Sequence, residues 1–226
     1  MHSIVLLSGG MDSCVTTAIA ISNSTSVSLL HISYKHRTAS RELKSFIDIA
    51  NYYKIKNRLI VNIDYLIKIG ASALTDKKIK VPEFNDKRKK NEIPVTYVPF
   101  RNGNFLAIAT SWAEAIGANN IYIGAVEEDS SGYPDTTKVF LKKIEAAINA
   151  GTKPETKIKI IAPLLHKKKS EIVKLGIKLN APLHLSWSCY KNEKKACGIC
   201  DSCVLRLNGF KEAGIDDKIP YIKKVI

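Results

Sequence analysis

Short apolar runs recur along the chain at residues 4–7, 27–32, 59–63, 120–124 and 158–161, each of strand length. Between them the apolar positions change period. Residues 41–53 place Leu43, Phe46, Ile47 and Ala50 at spacings of three, one and three, and residues 104–116 repeat the pattern with Phe105, Ile108, Trp112 and Ala115. Each stretch is predicted to be a helix with those side chains inward. Apolar strands alternating with such helices predict an α/β fold, a parallel five-stranded sheet with helices on both faces. No internal repeat is evident. After residue 162 the character changes to short helical pieces, a Pro/His/Trp-bearing loop at residues 182–187 and a group of cysteines. We therefore expect a sheet domain over residues 1–162 and a C-terminal helical extension over residues 163–226 packed on it.

At 226 residues, 45% hydrophobic and 25% charged, the chain suits one ordinary domain with a small appendage, and neither a fibrous repeat nor a disordered chain. The 35 lysines and arginines against 21 aspartates and glutamates give +14, which favours phosphate-rich partners, nucleotides or nucleic acid alike. The densest basic run, Lys87-Arg88-Lys89-Lys90, lies among Pro82, Asn85, Asp86, Asn91 and Pro94. It lacks interleaved aromatics for base stacking and reads as a solvated loop, so no stable nucleic-acid partner is expected. Met1-His2-Ser3 runs into the first apolar stretch without a basic flank or cleavage site. Nowhere do about 18 apolar residues follow one another. The expected address is the cytoplasm, with no membrane association.

Candidate chemistry begins directly after the first strand, with Ser8-Gly9-Gly10-Met11-Asp12-Ser13 followed by a helix-capable run at residues 14–20. Two glycines permit positive φ and a close backbone approach, and the N–H groups that open the next helix point at any arriving anion. Ser8 and Ser13 add hydroxyl donors. The Gly-Lys-Ser/Thr ending that grips β- and γ-phosphates in Walker-type sites is missing, which argues against ordinary γ-phosphate transfer. Asp12 is read as a magnesium ligand, or else as a carboxylate on the helix dipole. Cys14 is read as a small core residue. The other four cysteines follow the pattern Cys189-x7-Cys197-x2-Cys200-x2-Cys203. Two overlapping Cys-x2-Cys steps bring thiolates onto one tetrahedral ion, and a shell of four sulfurs is closed to water, so a structural zinc is expected. Disulfides and an iron–sulfur cluster stand as alternatives.

Ser-Gly-Gly-x-Asp-Ser after the first strand resembles the PP-loop ATP pyrophosphatases, an adenine nucleotide α-hydrolase-like fold. Further segments narrow the likeness. Val98-Pro99-Phe100-Arg101-Asn102, the stretch from Gly124 through Glu127 to Ser131-Gly132-Tyr133-Pro134-Asp135, Trp187-Ser188-Cys189-Tyr190, and the run from Cys197 to Arg206 together resemble the 7-cyano-7-deazaguanine synthase family. That resemblance implies an enzyme, a carbon–nitrogen ligase that turns 7-carboxy-7-deazaguanine and ammonia into the nitrile through the amide. Each departing oxygen is activated as an adenylate, with release of AMP and pyrophosphate. It implies ATP with magnesium, a structural zinc on Cys189, Cys197, Cys200 and Cys203, and a homodimer.

For the site, the resemblance implies ATP binding by Leu7, Ser8, Gly9, Gly10, Met11, Asp12, Ser13, Cys14, Val15, Thr16 and Thr17. Asp12, Arg101 and Lys169 are the catalytic candidates. Tyr34, Arg37, Asn102, Glu127, Tyr133 and Asp135 are the substrate contacts, with a carboxylate of Asp135 or Glu127 accepting from the purine edge. The loops at residues 8–13, 34–37 and 127–135 follow apolar runs and should converge beyond the carboxyl ends of the strands. Two stretches depart from the family pattern. Tyr34-Lys35-His36-Arg37 stands where Tyr-Gly-Gln-Arg is usual, and Thr136-Thr137 where Cys-Arg is usual. His31, His36, His166 and His184 are read as non-catalytic, because ammonia is itself the nucleophile, and His2, at the chain start, is discounted. The rival readings are a tRNA-thiolating PP-loop ATPase, a zinc-containing nucleic-acid-binding module, and a relative acting on another carboxyl group.

Overall fold

The computed structural model describes residues 1–84, 92–127 and 132–223. The basic run Lys87-Arg88-Lys89-Lys90 and the stretch Glu128-Asp129-Ser130-Ser131 lie outside the described residues. The elements run β1 (His2–Leu6), α1 (Met11–Asn23), β2 (Ser26–Ser33), α2 (Ala39–Tyr52), β3 (Arg58–Asn62), α3 (Tyr65–Ile69), α4 (Arg101–Ile116), β4 (Asn120–Ile123), α5 (Lys138–Gly151), β5 (Lys159–Ile161), α6 (Lys169–Lys178) and α7 (Asp201–Ala213).

All five strands are parallel, in the order β3-β2-β1-β4-β5. β1 is central, with Leu6 level with Leu30 of β2 and with Ile123 of β4. Its continuous apolar run follows from burial on both faces. Ile4 and Leu6 pack with α4 and α5 on one face, while Val5 and Leu7 pack with α1, α2, α6 and α7 on the other. The chain leaves β1 for β2 on one side and reaches β4 on the other, so the crevice beyond the carboxyl ends of β1 and β4 is the switch point where such folds bind ligands.

The five apolar runs are all strands, within a residue or two of their expected ends. The helical faces need correction. In α2, Phe46, Ile49 and Ala50 are buried, whereas Ile47 is 39% exposed. α4 starts at Arg101, three residues before the expected start, and buries Leu106, Ala109 and Ala113, while Ala115 is exposed and Phe105, Ile108 and Trp112 are half-buried. The stripe of Leu106, Ala109 and Ala113 faces the sheet, and Phe105, Ile108 and Trp112 pack along its flanks.

After β5, α6 and α7 pack against each other and, through α6, against α1. Gly176 makes the second contact possible, since a Cβ there would stand 3.0 Å from Val15 Cγ2. Gly209 serves the first, for its Cβ would reach 2.7 Å from that of Lys169. Arg206 of α7 is fully buried and ties the segment together. Its guanidinium donates to both carboxylate oxygens of Asp217 (2.6 and 3.0 Å), to Ser186 Oγ (2.8 Å) and to the Leu183 carbonyl (3.0 Å). Removing one partner of such a pair leaves the other charge buried and unpaired, at a cost of about 3–5 kcal/mol. Arg206→Met should lower unfolding stability in urea by that amount, and Arg206→Met with Asp217→Leu should recover most of the loss.

Candidate active site

Leu7 and Ser8 carry the chain out of β1 into Gly9, whose φ of +95° only glycine adopts without strain. The space is equally restrictive, because a Cβ on Gly9 would lie 2.5 Å from the Glu42 carbonyl of α2 and 2.9 Å from Ser45 Cβ. From the other side the Trp187 N–H donates to the Gly9 carbonyl at 2.8 Å. Gly10 then caps α1 in extended conformation without a side-chain cap, and the first intrahelical bond runs from Cys14 N to Gly10 O. The first-turn N–H groups therefore have no acceptor within the helix and face the switch point. Ser8 Oγ lies 3.1 Å from Ser13 Oγ beside them. Gly124, just after β4, faces this turn; a Cβ there would sit 3.0 Å from Ser13 N and cover it.

A cavity of about 260 Å³ opens at this point. Ser8, Gly10, Asp12, Ser13 and Lys169 line its phosphate-loop end, and Tyr34, His36, Arg101, Asn102, Phe105, Tyr133 and Tyr190 line the rest. Lys169 Nζ is 2.8 Å from Asp12 Oδ2, an ion pair made possible by the close crossing at Gly209. The second oxygen, Asp12 Oδ1, is buried without a hydrogen-bond partner among the described residues. An orphaned carboxylate oxygen beside helix N–H groups fits a divalent cation carrying phosphates. Arg101 donates to Tyr34 Oη at 3.2 Å and lies 5.8 and 5.9 Å from the Phe105 and Tyr133 ring centres. Burial works against its charge, yet its pKa stands above the usual value, with the Tyr34 hydroxyl accepting its hydrogen bond. Burial pushes the Tyr34 and Tyr190 phenols up, so both stay protonated.

The expected site residues separate into two groups. Ser8, Gly10, Met11, Asp12, Ser13, Tyr34, Arg101, Asn102, Tyr133 and Lys169 meet at the cavity together with Leu7. Cys14, Val15, Thr16 and Thr17 point into the core behind the loop, and burial pushes the Cys14 thiol up to about 12. Arg37 turns away and donates to the carbonyls of Ala73, Asp76 and Ile79, fastening the loop before α4. Asp135 is buried behind the lining, its Oδ2 accepting from Asn102 N at 2.8 Å and its Oδ1 from Asn102 Nδ2 at 3.2 Å. It thereby holds the first turn of α4. The Glu127 carboxylate stands 3.7 Å from His166 Nδ1.

The lining also includes Glu42, Trp187, Ser188 and Thr136. Glu42 escaped sequence reading because only the packing of α2 against the phosphate loop turns it toward the cavity. At the two departures, Lys35 takes φ +55° where glycine is usual, with its ammonium paired to Asp64. Thr136 Oγ1 donates to the Tyr133 carbonyl at 2.8 Å, and Thr137 Oγ1 caps α5 by accepting from Phe140 N at 3.2 Å.

Away from the cavity, Cys189, Cys197, Cys200 and Cys203 are buried with their sulfurs all within 4.8 Å of one another and form no disulfide. Cys197 Sγ and Cys203 Sγ are 3.8 Å apart. Sulfurs about 2.3 Å from a tetrahedral ion stand about 3.8 Å from one another. Backbone N–H groups of Lys191, Asn192 and Cys197 point at Cys189 Sγ. Hydrogen bonds from Cys200 and Cys203 hold the Cys189 thiol far below its usual pKa, while the same contacts push Cys200 up to about 12 and Cys203 higher still. Four thiolates this close together would repel one another, and a cation among them removes that cost. The donor set fits a metal ion.

A parallel sheet whose central strand runs through Ser-Gly-Gly-x-Asp-Ser into an uncapped helix at the switch point defines a PP-loop nucleotide-binding protein. The solved structure of a 4-thiouridine synthetase–RNA complex with bound ATP shares this fold, with a TM-score of 0.54 and 20% identity, over 97% of this chain and 47% of that one. The family model described as "Queuosine biosynthesis protein QueC" matches residues 2–214. Proteins named 7-cyano-7-deazaguanine synthase are similar over nearly the whole length. That of Nautilia profundicola is 56% identical over 98% of this chain and 99% of its own. That of Chlorobium chlorochromatii is 54% identical over 98% and 96%. The chain belongs to the QueC family. No described helix is long and apolar enough to cross a membrane.

The close approach of Gly124 to α1 is open to test. Gly124→Ala should weaken ATP binding about tenfold or more in calorimetry, equivalent to about 1.4 kcal/mol. Gly151→Ala, where a Cβ meets nothing within 4 Å, should leave it unchanged.

Proposed function

We propose that this protein converts 7-carboxy-7-deazaguanine and ammonia to 7-cyano-7-deazaguanine with consumption of ATP, releasing AMP and pyrophosphate at each of two oxygen-removing steps. The observation that carries the reading is one cavity joining the phosphate loop to an aromatic, arginine-bearing pocket, in a chain whose relatives over its full length are named for that synthesis. In this reading the N–H groups of Met11, Asp12 and Ser13 and the hydroxyls of Ser8 and Ser13 hold the pyrophosphate portion of ATP. Asp12 holds magnesium, which supplies charge neutralisation on the phosphates. Lys169 and Arg101 stabilise the negative charge that develops as the carboxylate oxygen attacks the α-phosphate. Tyr34, Asn102 and Tyr133 surround the deazaguanine, and Asp135 acts through Asn102.

The four cysteines, in the same proposal, hold a structural zinc, with the extension from residue 163 built round it. The family reading further carries a homodimer, a cytoplasmic address and no stable nucleic-acid partner. A tRNA-thiolating activity is disfavoured, because Cys14 is fully buried in the core and the other cysteines converge on one point.

Incubation with ATP, magnesium, ammonia and 7-carboxy-7-deazaguanine should yield the nitrile and AMP by mass spectrometry; ADP in place of AMP would sink the reading. Asp135→Asn should spare ATP binding and abolish binding of the deazaguanine acid. Elemental analysis should find about one zinc per chain, and Cys200→Ser should lose it together with thermal stability.

A further inference from the structure

A deazaguanine presents a ring N–H and a 2-amino group side by side, and an ionised carboxylate, which only accepts, can take both. The two carboxylates expected from sequence to do so are engaged elsewhere. Asp135 holds the first turn of α4 from behind the lining, and Glu127 stands beside His166, outside the described lining of the cavity. Three other carboxylates line it, those of Asp12, Glu42 and Asp201. Asp12 is paired with Lys169 at the phosphate-loop end. Asp201 opens α7 between Cys200 and Cys203, with both carboxylate oxygens buried. Glu42 differs from both. Its side chain is 21% exposed, and its Oε2 has no hydrogen-bond partner among the described residues. Its Oε1 stands 2.9 Å from His36 Nε2 and accepts from Thr38 Oγ1 at 3.4 Å, which leaves lone-pair capacity on both oxygens. Burial pushes the carboxyl up, but His36, His31 and Arg101 together bring it below its ordinary value, so it is ionised at neutral pH. The Glu42 carbonyl packs against Gly9, so the contact that shapes the phosphate loop also fixes where this side chain meets the cavity.

We propose that Glu42 recognises the purine edge of the deazaguanine acid, its two carboxylate oxygens accepting from the ring N–H and from the 2-amino group. The inference rests on the nitrile-forming reading above and deepens it by naming what selects the base. That reaction brings two purines into one cavity, and their edges differ. Adenine sets a ring-nitrogen lone pair beside its amino group, which a carboxylate repels, whereas the deazaguanine sets two donors there. Glu42 therefore keeps the adenine of ATP out of the base pocket as well as holding the acid in it. Tyr34, Phe105 and Tyr133 supply the aromatic surface of that pocket. The carboxylate of the acid sits on the five-membered ring, at the other end of the molecule from the two donors. A base held by Glu42 keeps its own anion away from that side chain and leaves it to the cations of the cavity, Lys169 and Arg101.

Calorimetry with a non-hydrolysable ATP analogue present compares 7-carboxy-7-deazaguanine, the same acid without its 2-amino group, and the same acid methylated on the ring N–H. The unmodified protein should bind the first about 30-fold tighter than either of the others, the worth of one two-point contact. In Glu42→Gln the parent acid should weaken about 30-fold and the acid without the amino group by no more than about threefold, because an amide turns one acceptor into a donor. Affinity for the ATP analogue alone should stay within about twofold. Glu42→Asp keeps both acceptors on a shorter stem and should weaken the parent acid about tenfold while retaining the preference for the 2-amino group; it carries the test should the first variant melt early. An undiminished preference in Glu42→Gln, equal weakening of all three acids, unchanged binding in Glu42→Asp, or indifference of the unmodified protein to the 2-amino group overturns the role of Glu42. Failure of the unmodified protein to bind any of the acids, with no AMP released, instead overturns the nitrile-forming reading.

Discussion

The arrangement depends on how closely backbone approaches backbone where β1 gives way to α1. Gly9 lies against the Glu42 carbonyl, and Gly124 against the amide of Ser13, at distances that a single methyl group would violate. These contacts set the first turn of α1 directly over the switch point between β1 and β4, with its N–H groups uncovered. An anion site built from backbone dipoles needs no reorganisation when charge arrives, provided nothing stands in front of them. Glycine at both positions supplies that clearance.

The loop is also joined to the far end of the chain. Trp187 donates to the Gly9 carbonyl and, through its indole N–H, to Asn192 O at 2.9 Å, beside the cysteine cluster. α6 and α7, held close by Gly209, carry Lys169 to Asp12. Arg206 fastens α7 to Ser186 next to Trp187. The C-terminal segment thus contributes to the phosphate end of the cavity as well as covering one face of the sheet. Three carboxylates, Asp12, Glu42 and Asp201, and two cations, Lys169 and Arg101, line the cavity. Asp12 is paired across elements, whereas Glu42 faces an imidazole.

The positions where this chain departs from the usual family pattern have local solutions. Lys35 takes a left-handed backbone, and its exposed ammonium pairs with Asp64. His36 replaces a neutral amide with a titratable ring stacked on Tyr34. Thr137 substitutes a helix cap for an arginine, and Thr136 bonds back to Tyr133. Tyr34 and Tyr133 both stand in the cavity wall.

From the residues alone, the strand positions, the phosphate loop and the four-cysteine cluster were all legible, because each is a local property. An apolar run of strand length, two glycines before a helix, and Cys-x2-Cys spacing constrain the chain over a few residues. Tertiary packing decided what local pattern does not contain. It rotated α2 and α4 so that Ile47 and Ala115 face solvent, because the depth of contact with the sheet, and not periodicity alone, selects the buried stripe. It sent Arg37 to loop carbonyls and Asp135 behind Asn102, since a side chain's partner depends on what stands across the space from it. It also brought His36 and Glu42 together at the cavity from opposite ends of one β–α connection, a meeting that neither residue's neighbours in sequence disclose.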